Sequence, residues 1–196
     1  MTDSPASPVP TLNIANVLTT IRIVLVPFFI WFMLADNGND GLLRWLAVVV
    51  FAVAIYTDKL DGDLARSRGL ITNFGKIADP IADKLLIGSA LILLSVLGEL
   101  PWWITVVILV RELGITLLRF VVIRYGVMPA SRGGKLKTVL QTLAIFLYLL
   151  PLETWLGDWA AVVAYIVMLL AVAVTVVTGA DYVIKALRLR SAGRGH

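Results

Sequence analysis

The sequence contains no cysteine, and its one histidine, His196, is the last residue. The lack of cysteine excludes disulfides and thiol chemistry. Together with the single, terminal histidine, it also argues against a zinc site built from sulfur and imidazole ligands. Charged residues are also few, at 15%, whereas 59% of the residues are hydrophobic and the mean hydropathy is +0.91. This composition is typical of a polytopic membrane protein rather than of a soluble domain.

Long apolar runs predict an all-α integral membrane protein with six transmembrane helices. The predicted spans are 17–35, 42–66, 76–97, 102–125, 135–150 and 159–187. Residues 1–10 are rich in proline and serine without a basic segment, which favours a disordered tail over a signal peptide. The predicted organisation is therefore a tail over 1–10, a single transmembrane domain over 11–190, and a basic C-terminal tail over 191–196.

The distribution of positive charge predicts the orientation of these helices. The turns at 36–41, 98–101 and 153–158 hold no lysine or arginine, whereas the other connections are basic. Their basic residues are Arg66, Arg68, Lys76, Arg124, Arg132, Lys135 and Lys137. The positive-inside rule then places both termini on the cytoplasmic side of the cell membrane. The net charge of +4 is spread over several loops, which favours anionic headgroups over nucleic acid as the partner.

Four aspartates stand where the second predicted helix ends and the third begins. Asp58 and Asp61 are three positions apart, and Asp79 and Asp83 are four apart, so each pair shares one face of a helix. Ionised carboxylates at the edge of an apolar segment are costly unless a cation neutralises them. Oxygen-only ligands favour Mg²⁺ or Mn²⁺, as one ion or as a pair about 3.5 to 4 Å apart. The motif therefore predicts a divalent-metal site.

The same stretch resembles the signature of the CDP-alcohol phosphotransferases at every fixed position. Its eight positions span 26 residues, which makes a chance match improbable. They are Asp58, Asp61, Gly62, Ala65, Arg66, Gly75, Asp79 and Asp83. The resemblance implies an integral membrane enzyme, commonly homodimeric, in which a hydroxyl acceptor displaces CMP from a CDP-linked substrate.

The resemblance also implies roles for individual residues of the motif. The four aspartates would hold the metal on the pyrophosphate, and Asp83, at the end of the signature, would be the general base for the acceptor hydroxyl. Gly62, Ala65 and Gly75 would leave room for the CDP group of the lipid. Arg66, together with Asp61, would complete the CDP-lipid site.

A second group of charged residues lies in the fourth and fifth predicted helices and the loop between them. Arg111 and Glu112 interrupt an apolar run, and Arg119 follows Arg111 by eight positions, roughly on the same face. Arg111 and Glu112 could simply pair with neighbouring helices, and Lys135 and Lys137 could be ordinary cytosolic anchors. The alternative is a pocket for the acceptor's phosphate. Its candidates are Arg111, Arg119, Ser131, Arg132 and Lys135.

Three segments resemble bacterial phosphatidylglycerophosphate synthases within the family: REL at 111–113, LLR at 117–119 and ASRGGKLKTVLQ at 130–141. The order Asn16, Thr19, Arg22 resembles the start of the same enzymes, although Arg22 could equally extend to the headgroups. The resemblance implies CDP-diacylglycerol as donor and sn-glycerol 3-phosphate as acceptor. A synthase that uses inositol phosphate is the alternative, and a divalent-cation transporter is a remote one, because its ligands should lie near the midplane.

Overall fold

The computed structural model describes residues 13–67, 72–122 and 132–192, and the described part is helical throughout apart from turns. Six long helices and one short helix follow one another along the chain. They are α1 (Ile14–Asp36), α2 (Leu42–Ser67), α3 (Asn73–Val96), α4 (Trp102–Val122), α5 (Arg132–Leu149), α6 (Leu152–Leu156) and α7 (Trp159–Ala192). The all-helical class is confirmed. The predicted tail at 1–10 lies outside the described residues.

The chain divides into two compact units, one up to Ala90 and one from Leu91. In the first unit α1 packs against α2, with Phe29 and Phe51 buried and their ring centroids 5.8 Å apart. The connecting turn is fixed by the carboxylate of Asp36, which accepts the backbone N–H groups of Asp40, Gly41 and Arg44 at 3.1, 3.0 and 3.2 Å. This turn sets which faces of the two helices meet.

The start of α3 differs from the prediction, because the helix begins three residues earlier, at Asn73. Thr72 caps it: the hydroxyl of Thr72 accepts the N–H of Gly75 at 3.0 Å and donates to the side-chain oxygen of Asn16 at 2.9 Å. Because α3 begins at Asn73, Pro80 lies in the interior of the helix. At this position proline removes one backbone hydrogen bond of the helix.

In the second unit α7 packs against α4, α5 and α6. Helix α6 occupies residues that the sequence predicts as a turn, but its five residues are too few to cross a bilayer. The fifth helix also begins earlier than predicted, at Arg132, so that both Gly133 and Gly134 belong to its first turn.

Apolar side chains cover much of the exposed surface of the helices. Leu117 is 66% exposed, Phe120 is 70% exposed and Val177 is 67% exposed. By length and composition, two helices of the described chain could cross a membrane: α1, with a mean hydropathy of 2.2, and residues 159–188 of α7, with 2.8. The basic and acidic residues in α2 to α5 lower the mean hydropathy of those helices. These residues include the aspartates of the motif and the charged residues of α4 and α5.

We expect the replacement Thr105→Val to destabilise the second unit. Thr105 donates to the backbone oxygen of Leu91 at 3.1 Å and bonds to the hydroxyl of Ser95 at 2.7 Å, with both side chains buried. Valine keeps the shape but leaves the Ser95 hydroxyl without this partner, at a cost of about 1 to 3 kcal/mol.

The readout is the thermal unfolding midpoint of purified protein in detergent, which should fall by several degrees. Thr138→Val is the matched control, because Thr138 is exposed and its hydroxyl donates to the backbone oxygen of Gly134 within the same helix. Equal midpoints for the two variants would contradict the structural role assigned to Thr105.

Candidate functional site

The four aspartates of the motif lie on two helices of the first unit. Asp58 and Asp61 are in the last turns of α2, and Asp79 and Asp83 are in the first half of α3. Asp61 is buried, Asp79 and Asp83 are half-buried, and the side chain of Asp58 is 47% exposed. The group therefore runs from the protein interior to an accessible surface, as a substrate site requires.

Helix α1 supplies the positive charge that faces these carboxylates. Arg22 is fully buried, and its Nη1 donates to Asp58 Oδ1 at 2.5 Å while its Nη2 donates to Asp61 Oδ2. The guanidinium thus joins the two carboxylates of α2. Of the two alternatives for Arg22, extension to the headgroups is wrong, because the side chain points into the carboxylate cluster.

Thr19 joins the carboxylates of α2 and α3. Its hydroxyl lies 2.6 Å from Asp79 Oδ1 and 3.2 Å from Asp61 Oδ2. One carboxylate from each helix therefore meets a single α1 hydroxyl. The aspartate pairs are separated by seventeen intervening residues in the sequence, and this contact brings them together in space.

Gly75 allows the close approach of α3 to α1. A Cβ at this position would lie 3.0 Å from Asn16 Oδ1 and 3.4 Å from Thr72 Oγ1, and 3.7 Å from Asp79 Oδ2. A side chain would therefore push Asn16 away and disturb the turn that carries Asp79. Asn16 itself is positioned by Asn13, whose side chain accepts the N–H of Asn16 at 3.0 Å.

The donor set suits a hard divalent cation, since the acidic side chains offer oxygen atoms and no sulfur or imidazole. Among the described residues, no three acidic or histidine side chains are close enough together to enclose an ion as they stand. Arg22 and Thr19 occupy oxygens of Asp58, Asp61 and Asp79 instead. The concentration of four carboxylates on neighbouring parts of α2 and α3 is the feature that a divalent cation would complement.

The remaining residues of the motif are only partly visible. Gly62 is half-buried in α2 and belongs to the same helical segment as Asp58 and Asp61. The side chains of Ala65 and Arg66 lie outside what the structure describes, although their backbone continues α2. Their predicted contacts with the CDP-lipid stay predictions.

In the second unit the half-buried side chains of Arg111 and Glu112 form an ionic cluster with α5 and α7. Glu112 Oε1 accepts from Arg111 Nη1 at 2.9 Å and from Lys137 Nζ at 2.7 Å. Arg111 also donates from Nε to the backbone oxygen of Thr175 at 3.1 Å and from Nη2 to Thr178 Oγ1 at 2.9 Å. These contacts are those of the structural alternative, in which Arg111 and Glu112 pair with neighbouring helices, and they add Lys137 to the group. The role of Arg111 in binding phosphate stays a prediction.

The other predicted phosphate-binding residues are distributed differently. Arg119 is exposed and its guanidinium carbon lies 6.0 Å from the ring centroid of Tyr182 in α7, so that both arginines of α4 face α7. Lys135 is exposed. Ser131 and the side chain of Arg132 lie outside the described residues.

Sequence reasoning missed three contributors, namely Thr72, Thr178 and the pairing role of Lys137. Thr72 carries a local signal, because a threonine three positions before Gly75 is a typical helix cap. Thr178 and Lys137 carry none, since a threonine in an apolar helix and a lysine near a helix start are common. Only the packing of α4 and α5 against α7 reveals them.

Comparison with known proteins identifies the family to which the chain is similar. A family model described as CDP-alcohol phosphatidyltransferase matches residues 12–177. The chain is 54% identical over 176 residues to a protein of Mycobacterium tuberculosis named "Probable phosphatidylglycerophosphate synthase", covering 90% of this chain and 82% of that protein.

More distant relatives extend the comparison. A Bacillus subtilis protein named "CDP-diacylglycerol--glycerol-3-phosphate 3-phosphatidyltransferase" is 37% identical over 183 residues, covering 87% of this chain and 93% of the relative. A Streptomyces coelicolor protein named "Cardiolipin synthase (CMP-forming)" is 34% identical over 154 residues, covering 77% of this chain and 72% of the relative. The chain therefore belongs to the CDP-alcohol phosphatidyltransferase family.

Proposed function

We propose that this protein transfers the phosphatidyl group of CDP-diacylglycerol to sn-glycerol 3-phosphate, giving phosphatidylglycerophosphate and CMP. The observation that carries the proposal is the 54% identity to a relative named for this product, over nine-tenths of the chain. The convergence of Asp61 and Asp79 on Thr19 supports the catalytic part, because it unites both halves of the family motif.

Asp58, Asp61, Asp79 and Asp83 would hold one or two Mg²⁺ or Mn²⁺ ions. When bound, such ions neutralise the pyrophosphate and the charge that builds on the leaving group. The chain's own part is to place the carboxylates: Thr19 orients Asp61 and Asp79, and Arg22 bridges Asp58 and Asp61. Because Arg22 is fully buried and bonded to both carboxylates of α2, its part is to position these carboxylates and to lower their mutual repulsion.

Asp83 would act as the general base. A hydroxyl oxygen of the acceptor forms a bond to the phosphatidyl phosphorus, the bond from that phosphorus to the CMP oxygen breaks, and CMP leaves with the electron pair. The hydroxyl proton passes to the Asp83 carboxylate. Asp83 is half-buried and one helical turn beyond Asp79, which keeps it accessible to the acceptor.

Binding of the two substrates would use different residues. Asp61, Gly62, Ala65, Arg66 and Gly75 are proposed for the CDP-lipid, with Asn16 as a support. The acceptor's phosphate would bind basic and hydroxyl side chains of the second unit. They are Arg111, Arg119, Ser131, Arg132 and Lys135, to which the ion pair with Glu112 adds Lys137.

We also propose that α1 to α5 and α7 all cross the cell membrane, with both termini and the carboxylates on the cytoplasmic side. The exposed apolar side chains of these helices support a lipid environment, and the absence of lysine and arginine from alternate turns supports the orientation. A homodimer is proposed from the family resemblance.

Two other acceptors are distinguishable from the proposed one. Inositol phosphate also requires a cationic pocket, so the second-unit cluster suits it too. Phosphatidylglycerol would be the acceptor if the chain were a cardiolipin synthase. This function is less well supported, because the relative with that name is 34% identical to the chain, whereas the Mycobacterium tuberculosis relative is 54% identical. A divalent-cation transporter is remote, because it needs no CDP-alcohol motif.

The first prediction from the proposed function concerns acceptor-dependent release of CMP. Purified protein in detergent with Mg²⁺ or Mn²⁺ should release CMP from CDP-diacylglycerol when glycerol 3-phosphate is added, and not with inositol phosphate or phosphatidylglycerol. Asp83→Asn, which keeps the shape but accepts no proton, should lower kcat at least about 100-fold. Release with another acceptor alone would replace the proposed substrate, and no release from folded protein would refute the enzymatic proposal.

The second prediction tests the metal site through Thr19. Thr19→Val removes the hydroxyl shared by Asp61 and Asp79, so we expect Mn²⁺ affinity, measured by the paramagnetic resonance of free Mn²⁺, to fall about 10- to 100-fold. Thr20→Val is the control, because Thr20 is exposed and its hydroxyl bonds to the backbone of Asn16. Unchanged Mn²⁺ binding in Thr19→Val would contradict the orienting role.

The third prediction tests the orientation, for which the absence of cysteine is an advantage. Single cysteines are introduced by Glu153→Cys and Arg188→Cys, both at exposed positions. A membrane-impermeant maleimide should label intact cells only at position 153, and permeabilised cells at both. Labelling of position 188 from outside would show that the proposed topology is inverted or incomplete.

A further inference from the structure

Arg111 is held on α7 by an unusually complete set of contacts. Each of its three guanidinium nitrogens donates to a different acceptor: Nε to the backbone oxygen of Thr175, Nη1 to Glu112 and Nη2 to Thr178 Oγ1, at 3.1, 2.9 and 2.9 Å. A flexible arginine side chain held in this way has one orientation. It therefore does not need to be ordered when a ligand arrives.

Gly179 makes this position of Arg111 sterically allowed. A Cβ on Gly179 would lie 3.1 Å from Arg111 Cγ and 3.2 Å from its Nε, tighter than ordinary contact. The glycine is buried within the long helix α7, where alanine would be the better helix former. Its presence is explained by the arginine that lies across it rather than by the conformation of the helix.

Arg111 and Lys137 together carry more charge than Glu112 neutralises. Both cations bond to the same oxygen, Glu112 Oε1, so two positive charges face one negative charge. Within the described residues these contacts use one N–H of each terminal nitrogen of Arg111 and one of the three N–H groups of Lys137. The side chains of Arg111 and Lys137 are 16% and 11% exposed, so the cluster is not sealed from its surroundings.

We propose that Thr178 and Gly179 of α7 are positioning residues for the acceptor's phosphate. They hold Arg111 beside Glu112 and Lys137, so that the two cations present their remaining donors to one anion. This inference rests on the function proposed above, and it extends the acceptor site to two residues that do not themselves touch the phosphate.

The main test is the KM for glycerol 3-phosphate of Gly179→Ala, measured as CMP release at saturating CDP-diacylglycerol. Displacement of Arg111 should raise this KM about tenfold, the effect of misplacing one charged hydrogen bond. The KM for CDP-diacylglycerol and kcat should stay within about twofold. The thermal midpoint should not fall, because alanine favours the helix.

Gly114→Ala is the matched control. Gly114 is also a glycine within a helix of the second unit, but a Cβ there would meet nothing within 4 Å. All three kinetic constants should equal those of the unmodified protein. The pair of variants therefore separates the contact with Arg111 from the general effect of replacing a helical glycine.

Thr178 offers an independent variant with a rescue. Thr178→Val removes the acceptor of Arg111 Nη2 while keeping the shape, and should raise the same KM about tenfold. Thr178→Ser restores the hydroxyl and should return the KM to within about threefold of the unmodified value. Inorganic phosphate should inhibit competitively against glycerol 3-phosphate, and more weakly in Thr178→Val and Gly179→Ala.

The results also separate this inference from the proposed function. If the unmodified protein uses inositol phosphate instead, the proposed function is corrected. The inference then stands if Thr178→Val and Gly179→Ala raise the KM for inositol phosphate and weaken inhibition by inorganic phosphate. An unchanged acceptor KM in both variants overturns the inference while leaving the function intact. A fall in kcat and thermal midpoint together, without a change in acceptor KM, would assign Thr178 and Gly179 a purely structural role and also overturns it.

Discussion

The hydroxyl of Thr19 is the contact on which the first unit depends, because α2 and α3 each contribute a carboxylate to it. Carboxylates repel one another, and in an apolar setting that repulsion is weakly screened. The chain counters it with groups from α1: the Thr19 hydroxyl, and the guanidinium of Arg22 on Asp58 and Asp61. Helix α1 therefore acts as the organiser of a motif to which it contributes no carboxylate.

The two ionic clusters are built from residues of opposite charge. Aspartates predominate in the first, where Arg22 bonds to Asp58 and Asp61. Cations predominate in the second, where Arg111 and Lys137 share Glu112. Charge of one sign that is withdrawn from water is costly unless a partner or a ligand completes it. This difference is the physical basis for proposing a metal-bound pyrophosphate at the first cluster and a phosphate at the second.

Sequence alone predicted the six long helices to within about a turn and a half, because the lengths of apolar runs set them. It misplaced the start of α3, because Thr72 is held by Asn16, 56 positions away in the chain. It missed α6, since the short segment Leu152–Leu156 lies in an acidic turn-like stretch. The aspartates were found because charge in an apolar chain is conspicuous, whereas Thr178 and Gly179 are ordinary residues of an apolar helix and acquire meaning only through Arg111.

The choice between Lys135 and Lys137 illustrates the limit of such prediction. Both are basic residues in the first two turns of α5, and both precede an apolar run. Two positions along a helix rotate a side chain by about 200°, so only one of them can face α4. The structure selects Lys137, which is buried against Glu112, while Lys135 is exposed. An acceptor phosphate bound at Arg111 would therefore have Lys137 as its neighbour, a residue that the sequence alone did not distinguish from Lys135.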